Sequence, residues 1–192
     1  MTTNLYEEVV IAGFGGQGII LAGRLLAQTA MKAGKEVTFI PSYGAEMRGG
    51  TANCMVVVAD APIACPLVAK PDSLIVMNKA SLNKFAPRLK GGGLLVMNSS
   101  LIDEQPPLPD ATDVLAVPAN ELAVELGSVK AANMVALGAY LQRRRILTPD
   151  QAGLCLADVL AKRYHKTIAV NTEALRRGAQ FAAGASDVRC TA

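Results

Sequence analysis

Residues 8–35 read "EVVIAGFGGQGIILAGRLLAQTAMKAGK" and place an apolar strand, a glycine-rich turn and a helix with one apolar face in immediate succession. The run "VVIAG" (9–13) is continuously apolar, as in a strand buried on both faces of a parallel sheet. Gly13, Gly15 and Gly18 stand at the G-x-G-x-x-G spacing, with Gly16 and Gln17 between the last two. Glycines so placed permit a tight turn and bring backbone N–H groups to a phosphate at a helix N-terminus. The helix is predicted over about 18–33. The same spacing also serves close helix–strand packing with no ligand present, so the turn alone does not identify what it holds.

Further along, "EVTFI" (36–40) and "CMVVVA" (54–59) are predicted strands, the direction of the second being open. "SLIVMN" (73–78) and "GLLVMN" (93–98) flank the helical "SLNKFAPRLK", a strand–helix–strand unit stopped by Gly91, Gly92 and Gly93. After the proline-rich "DEQPPLPD", "DVLAVPAN" (113–120) is a last strand and "ELAVEL" is helical. Beyond residue 128 the period is helical throughout. "SVKAANMVALGAYLQRRRIL" comes first, then "TPDQAGLCLADVLAKRY" with a Thr-Pro start, then "NTEALRRGAQFAAG" with Asn171 as its cap. The expected fold is α/β: a Rossmann-like three-layer α/β/α domain with a mostly parallel sheet and covering C-terminal helices. One domain spans residues 1–192, with a frayed tail over about 185–192.

A chain of 192 residues, 51% hydrophobic and 18% charged, suffices for one substantial core. No apolar run approaches the roughly 20 residues that span a bilayer, and "MTTNLYEE" lacks the features of a signal peptide, so a cytoplasmic protein with no membrane contact is expected. With no Trp, four Tyr and four Phe, little aromatic surface exists for stacking bases, which disfavours nucleic acid. Arg143, Arg144 and Arg145 form the one dense basic run, read as cations at a helix C-terminus, with phosphate or an acidic partner as the alternative. Cys54, Cys65, Cys155 and Cys190 are widely spaced and His165 is the single histidine, a pattern that argues against a zinc site, a self-contained iron–sulfur cluster or a catalytic triad.

Ligands of open parallel sheets gather at the carboxyl ends of the strands. Those ends here are Gly13 to Gly18, the loop "PSYGAEMRGG" (41–50), and Asn78, Asn98 and Asn120. Helix capping or turn formation is the ordinary account of each asparagine, ligand contact the alternative. The loop is richer: Tyr43, Gly44, Gly49 and Gly50 surround Glu46 and Arg48, which either close the loop as an ion pair or face a partner chain or a phosphate-bearing ligand. A dinucleotide site also needs an acid near the end of the second strand, where this chain reads Phe39-Ile40-Pro41-Ser42. The NAD reading therefore loses its second criterion, while a phosphate cradle survives.

"GFGGQGIILAGRLLAQTA", "PSYGAEMRGGTANCMVVVAD", "CPLVAKPDSLIVMN" and "NMVALGAYL", in that order, resemble the gamma subunit of the 2-oxoacid:ferredoxin oxidoreductases over about residues 7–182. "GFGGQG" with "SYGAEMRGGTAN" is similar to the 2-oxoglutarate or general 2-oxoacid branch, pyruvate-type chains more often reading "GRGGQG". The resemblance implies CoA-dependent oxidative decarboxylation of a 2-oxoacid to an acyl-CoA and CO2, with electrons passing to ferredoxin. It also implies thiamine diphosphate, Mg2+ and iron–sulfur clusters on alpha and beta subunits, and often a small delta subunit, since this chain has neither a G-D-G motif with its downstream Asn nor a cysteine cluster. On that footing the isolated chain has no catalytic residues, and Gly13, Gly15, Gly16, Gln17, Gly18, Tyr43, Gly44, Glu46, Arg48, Gly49 and Gly50 are the candidates for contact with coenzyme A. The two loops are expected to follow adjacent strands and to lie side by side. Two other readings remain: a stand-alone oxidoreductase binding NAD or FAD at the glycine turn, and a scaffold whose loops only pack on a partner.

Overall fold

The computed structural model describes residues 4–43, 51–104 and 107–185. Six strands, β1 (Tyr6–Phe14), β2 (Glu36–Tyr43), β3 (Thr51–Ala59), β4 (Ser73–Val76), β5 (Leu94–Asn98) and β6 (Asp113–Val117), form one sheet in the order β2-β3-β1-β4-β5-β6. The pairings β1–β4, β4–β5 and β5–β6 are parallel, and β3 runs antiparallel to both of its neighbours. Five strands thus share one direction and β3 opposes them, which gives the expected mostly parallel sheet and settles the open direction. The sheet separates α1 (Ile19–Lys32), α3 (Ala119–Glu125), α4 (Ala132–Arg144), α5 (Pro149–Val159) and α6 (Ile168–Gly184) from α2 (Lys79–Phe85).

The continuous apolar runs are explained by this sandwich, because successive strand residues face opposite sides. In β1, Val9 and Ile11 join Leu25, Leu26, Met134, Tyr140 and Leu175 beneath the large helical layer. Val10 and Ala12 join Leu82, Phe85, Val68 and Ile102 on the thinner side. Each fully buried leucine, Leu25 and Leu26 among them, stabilises the fold by about 1.5–3 kcal/mol.

Several expected boundaries move. β2 runs on to Tyr43, past Pro41, which an edge strand tolerates because no second neighbour needs its missing N–H. β6 ends at Val117 and α3 begins at Ala119, so Asn120 belongs to a helix and not to the last strand. Thr148 and Gln151 form a reciprocal capping box on α5, with Pro149 at its first position as expected. Asn171 is no cap: α6 starts three residues earlier, and the buried Asn171 amide donates to the Thr167 hydroxyl at 3.1 Å. The two loops also do not follow adjacent strands, since β3 lies between β1 and β2. No helix among the described residues is long and apolar enough to cross a membrane.

Candidate functional site

α1 leaves the carboxyl end of β1 on one face, and α2 leaves the carboxyl end of the neighbouring parallel strand β4 on the other. The two connections diverge there, so a crevice opens between those strand ends, the place where open α/β sheets take ligands. Three glycines shape the turn above it. Gly13 ends the buried part of β1, where a Cβ would lie 2.6 Å from the Ile19 Cδ1 and 2.7 Å from the Gln17 Oε1. Gly16 is exposed with φ 95°. Gly18 adopts φ 73°, and a Cβ would sit 2.4 Å from the Asn133 Nδ2, so both backbone and space require glycine. Gly15 is exposed in the same turn.

Helix α1 starts at Gly18 with no side-chain cap and no acid in its first turn. Its leading N–H groups therefore have no side-chain acceptor among the described residues, and the positive end of the helix faces the turn. Asn133, at the start of α4, donates to the Gly18 carbonyl at 2.9 Å and fixes that end of the turn. Its Oδ1 is buried without a partner. Gln17 does not point outward. Its Oε1 accepts from the Phe14 N–H at 2.6 Å, and its Nε2 donates to the Met77 carbonyl at 3.1 Å.

Beside the turn lies a cleft of about 170 Å³ lined by Gly16, Gln17, Met77, Asn120, Val129, Lys130 and Ala132. Across Gln17 and Asn78 a shallower groove of about 530 Å³ is lined by Phe14, Asn78, Lys79, Ala80, Asn83 and Leu101. The cleft is smaller than the few hundred Å³ that enclose a whole small-molecule ligand, and its size suits one charged group of a longer molecule. Lys130 supplies a cation on its rim. Lys79 in the groove pairs with Glu104 at 2.7 Å, an ion pair that raises the Lys79 ammonium above its ordinary pKa. Asn78 caps α2, its Oδ1 accepting from the Ser81 N–H at 2.8 Å. The Oδ1 of Asn98 accepts from Ser100 and Ala119, and its Nδ2 donates to Asn120 at 3.0 Å. Asn78 is thus a helix cap and Asn98 a turn-former that also receives the first N–H of α3, and Asn120 alone of the three lines the cleft. The Ser100 hydroxyl donates to Glu121 and holds that carboxylate below its usual pKa.

Of the second loop, Gly44, Glu46, Arg48, Gly49 and Gly50 lie outside the described residues, and Tyr43 is placed by its backbone alone as the last residue of β2. The segment's flanks are fixed: Tyr43 pairs with Ala52, and Thr51 pairs with Phe14. It therefore leaves and re-enters the sheet at the edge that carries the glycine turn. With β2 extended to Tyr43, the place for a ribose-binding acid shifts onto this segment. Topology nevertheless opposes a dinucleotide, whose fingerprint needs a parallel second strand beside the first. Here β3 takes that place, leaving β2 two strand spacings, roughly 10 Å, from β1. Lys130 carried no motif in the sequence, and Gln17 lay within the glycine motif but its contacts with Met77 and Asn78 did not show there, because both depend on which strands and helices meet at the crevice.

Glycine turn, uncapped helix start and switch-point cleft define an open doubly wound α/β domain with a cradle suited to a phosphate group. The chain belongs to the pyruvate ferredoxin/flavodoxin oxidoreductase family, whose sequence pattern matches residues 8–181. It is 34% identical over 159 residues to the 2-oxoglutarate synthase subunit KorC of Methanocaldococcus jannaschii, covering 81% of this chain and 84% of KorC. Identity to the ketoisovalerate oxidoreductase subunit VorA of Methanothermobacter thermautotrophicus is 39% over 134 residues, which is 70% of this chain but 28% of VorA. The matched region thus spans little more than a quarter of that relative. Among solved structures, the gamma subunit of a keto/oxoacid ferredoxin oxidoreductase from Geobacter sulfurreducens PCA superposes with a TM-score of 0.79 at 28% identity, over 93% of this chain and 99% of that one. The 2-oxoglutarate:ferredoxin oxidoreductase of Magnetococcus marinus, with 2-oxoglutarate, coenzyme A and succinyl-CoA bound, gives 0.84 at 26% identity over 97% of this chain and 32% of that one.

Proposed function

We propose that the chain is the gamma subunit of a multi-subunit 2-oxoacid:ferredoxin oxidoreductase, with 2-oxoglutarate the favoured substrate, and that its glycine turn holds a phosphate of coenzyme A. The carrying observation is the uncapped start of α1 at the switch point, in a chain that matches KorC over most of both lengths. Coenzyme A supplies the acyl-accepting thiol, and thiamine diphosphate, Mg2+ and the iron–sulfur clusters reside on alpha and beta partner chains, with ferredoxin as the final acceptor. This chain contributes binding and orientation. Backbone N–H groups at Gly16 and Gly18 and the first turn of α1 receive the anion. Lys130, and Arg48 from the segment after β2, supply charge, and Tyr43, Gly44, Glu46, Gly49 and Gly50 remain the proposed further contacts.

The size of the cleft supports a site completed by another chain. Phe14 and Leu101, exposed large apolar residues, sit in the adjoining groove and suit a protein partner. A scaffold in which the turn only packs draws support from the inward-facing Gln17. Steady-state kinetics of the assembled complex separate the two. Lys130→Ala and Arg48→Ala are each expected to raise the KM for CoA by about 10-fold, the loss of a charge-assisted contact, and to leave the 2-oxoacid KM within about 2-fold. An unchanged CoA KM in both variants overturns the phosphate site, and dissociation of the complex assigns these residues to assembly.

A further inference from the structure

The last backbone link between β1 and β4 is the Met77 N–H donating to the Ala12 carbonyl at 2.9 Å, one residue beyond the end of β4. Past it the strand ends diverge into the crevice, and the next link is made by a side chain. Gln17 reaches back from the glycine turn, and its Nε2 donates to the Met77 carbonyl at 3.1 Å. The same amide's oxygen accepts the Phe14 N–H at 2.6 Å and the Asn78 Nδ2 at 3.3 Å. Asn78 is held in turn by the Ser81 N–H at the start of α2. One primary amide therefore ties together the end of β1, the end of β4 and the cap of α2; Gln17 itself lines the cleft, and its partner Asn78 lines the groove.

We propose that Gln17 is a positioning residue that fixes the crevice and the glycine turn from the inside without touching ligand. This rests on the CoA reading above and gives Gln17 a positioning role in place of the expected cofactor contact. The chemistry is selective. Glutamine supplies an acceptor and a donor at this reach; glutamate lacks the donor toward Met77, methionine lacks the donor and offers only a weak sulfur acceptor, and asparagine is one methylene short. With the side chain spent in this way, the left-handed backbone at Gly16 and Gly18 is set before ligand arrives, so binding does not bear the cost of ordering the turn.

The test pairs two measurements on Gln17→Met. In the full chain without ligand, hydrogen–deuterium exchange of the amides from Phe14 to Ile19 should accelerate by about 10-fold, since the Phe14 N–H loses its acceptor. In the assembled complex, the KM for CoA should rise by about 5- to 20-fold, with kcat and the 2-oxoglutarate KM within about 2-fold. A raised CoA KM with unchanged exchange would make Gln17 a ligand contact and overturn the proposal, as would no change in either. Lys130→Ala in the same assay keeps the two ideas apart. If it raises the CoA KM and Gln17→Met does not, positioning fails and the phosphate site stands; if neither does, both fail. Should Gln17→Met not fold, Asn78→Ser keeps an acceptor for Ser81 while removing one donor to Gln17. It should move both readouts in the same direction by about 2- to 5-fold, and no movement overturns the proposal.

Discussion

Residue chemistry separates groups that face water from groups that resemble them only on paper. Cys54 is buried against α1, where its Sγ lies 2.3 Å from the place a Cβ on Gly23 would occupy, and burial pushes its thiol up to about 12. Cys65 is exposed after β3, and Cys155 is buried in α5. Native chain treated with a maleimide at pH 7.5 should modify Cys65 within minutes and leave Cys54 unmodified until denaturant is added, as read by mass spectrometry of tryptic peptides. Fast native labelling of Cys54 would show that the packing of α1 on β3 is wrong. Arg143 and Arg144 make the same point for charge. Arg143 chelates Asp113 with bonds of 2.7 and 2.8 Å, and Arg144 grips the buried Glu7 through two bonds of 2.8 Å, with Ser73 and Tyr140 on the same carboxylate. Their position at a helix C-terminus was legible from sequence. Their acceptors were not, because Glu7 lies far off in the chain and meets Arg144 only once β1 and α4 are stacked.

Elements were legible where one local pattern dictates them. The apolar runs gave the strands, and Thr148 with Pro149 gave the start of α5. Boundaries failed where tertiary contact outweighs local preference: β2 continues through Pro41 because it is an edge, and α6 begins before Asn171. The packing of α4 on α6 rests on a feature that periodicity does not signal. A Cβ at Gly178 would lie 1.9 Å from the Val135 carbonyl oxygen, and one at Gly138 would lie 2.0 Å from that of Leu175. These are backbone atoms, which cannot swing aside as a side chain would, so the helices would have to move apart. Gly178→Ala is expected to destabilise the chain by about 3 kcal/mol in urea unfolding, although alanine is the better helix former. A change below about 1 kcal/mol would mean that the helices pack less closely than described.

At the scale of the whole molecule, the sheet's composition was legible and its strand order was not. Nothing in residues 51–59 states that they run antiparallel between β1 and β2, yet that placement separates this domain from a dinucleotide-binding one. The turn from Gly13 to Gly18 was found from its spacing, whereas the cleft beside it needed α3 and the segment around Lys130 to arrive from distant sequence. On the proposed reading, the small cleft at the ends of β1 and β4, with Phe14 and Leu101 exposed in the adjoining groove, is completed by a partner chain. The most direct measurement is reduction of a viologen dye by 2-oxoglutarate and CoA in the presence of thiamine diphosphate. It is made once with this chain purified alone and once with the complex recovered through a tag on this chain. The expected result is no turnover by the single chain and CoA-dependent turnover by the complex. Turnover by the chain alone, or a tagged chain that recovers no activity from cells expressing the neighbouring subunits, would contradict its assignment as the gamma subunit.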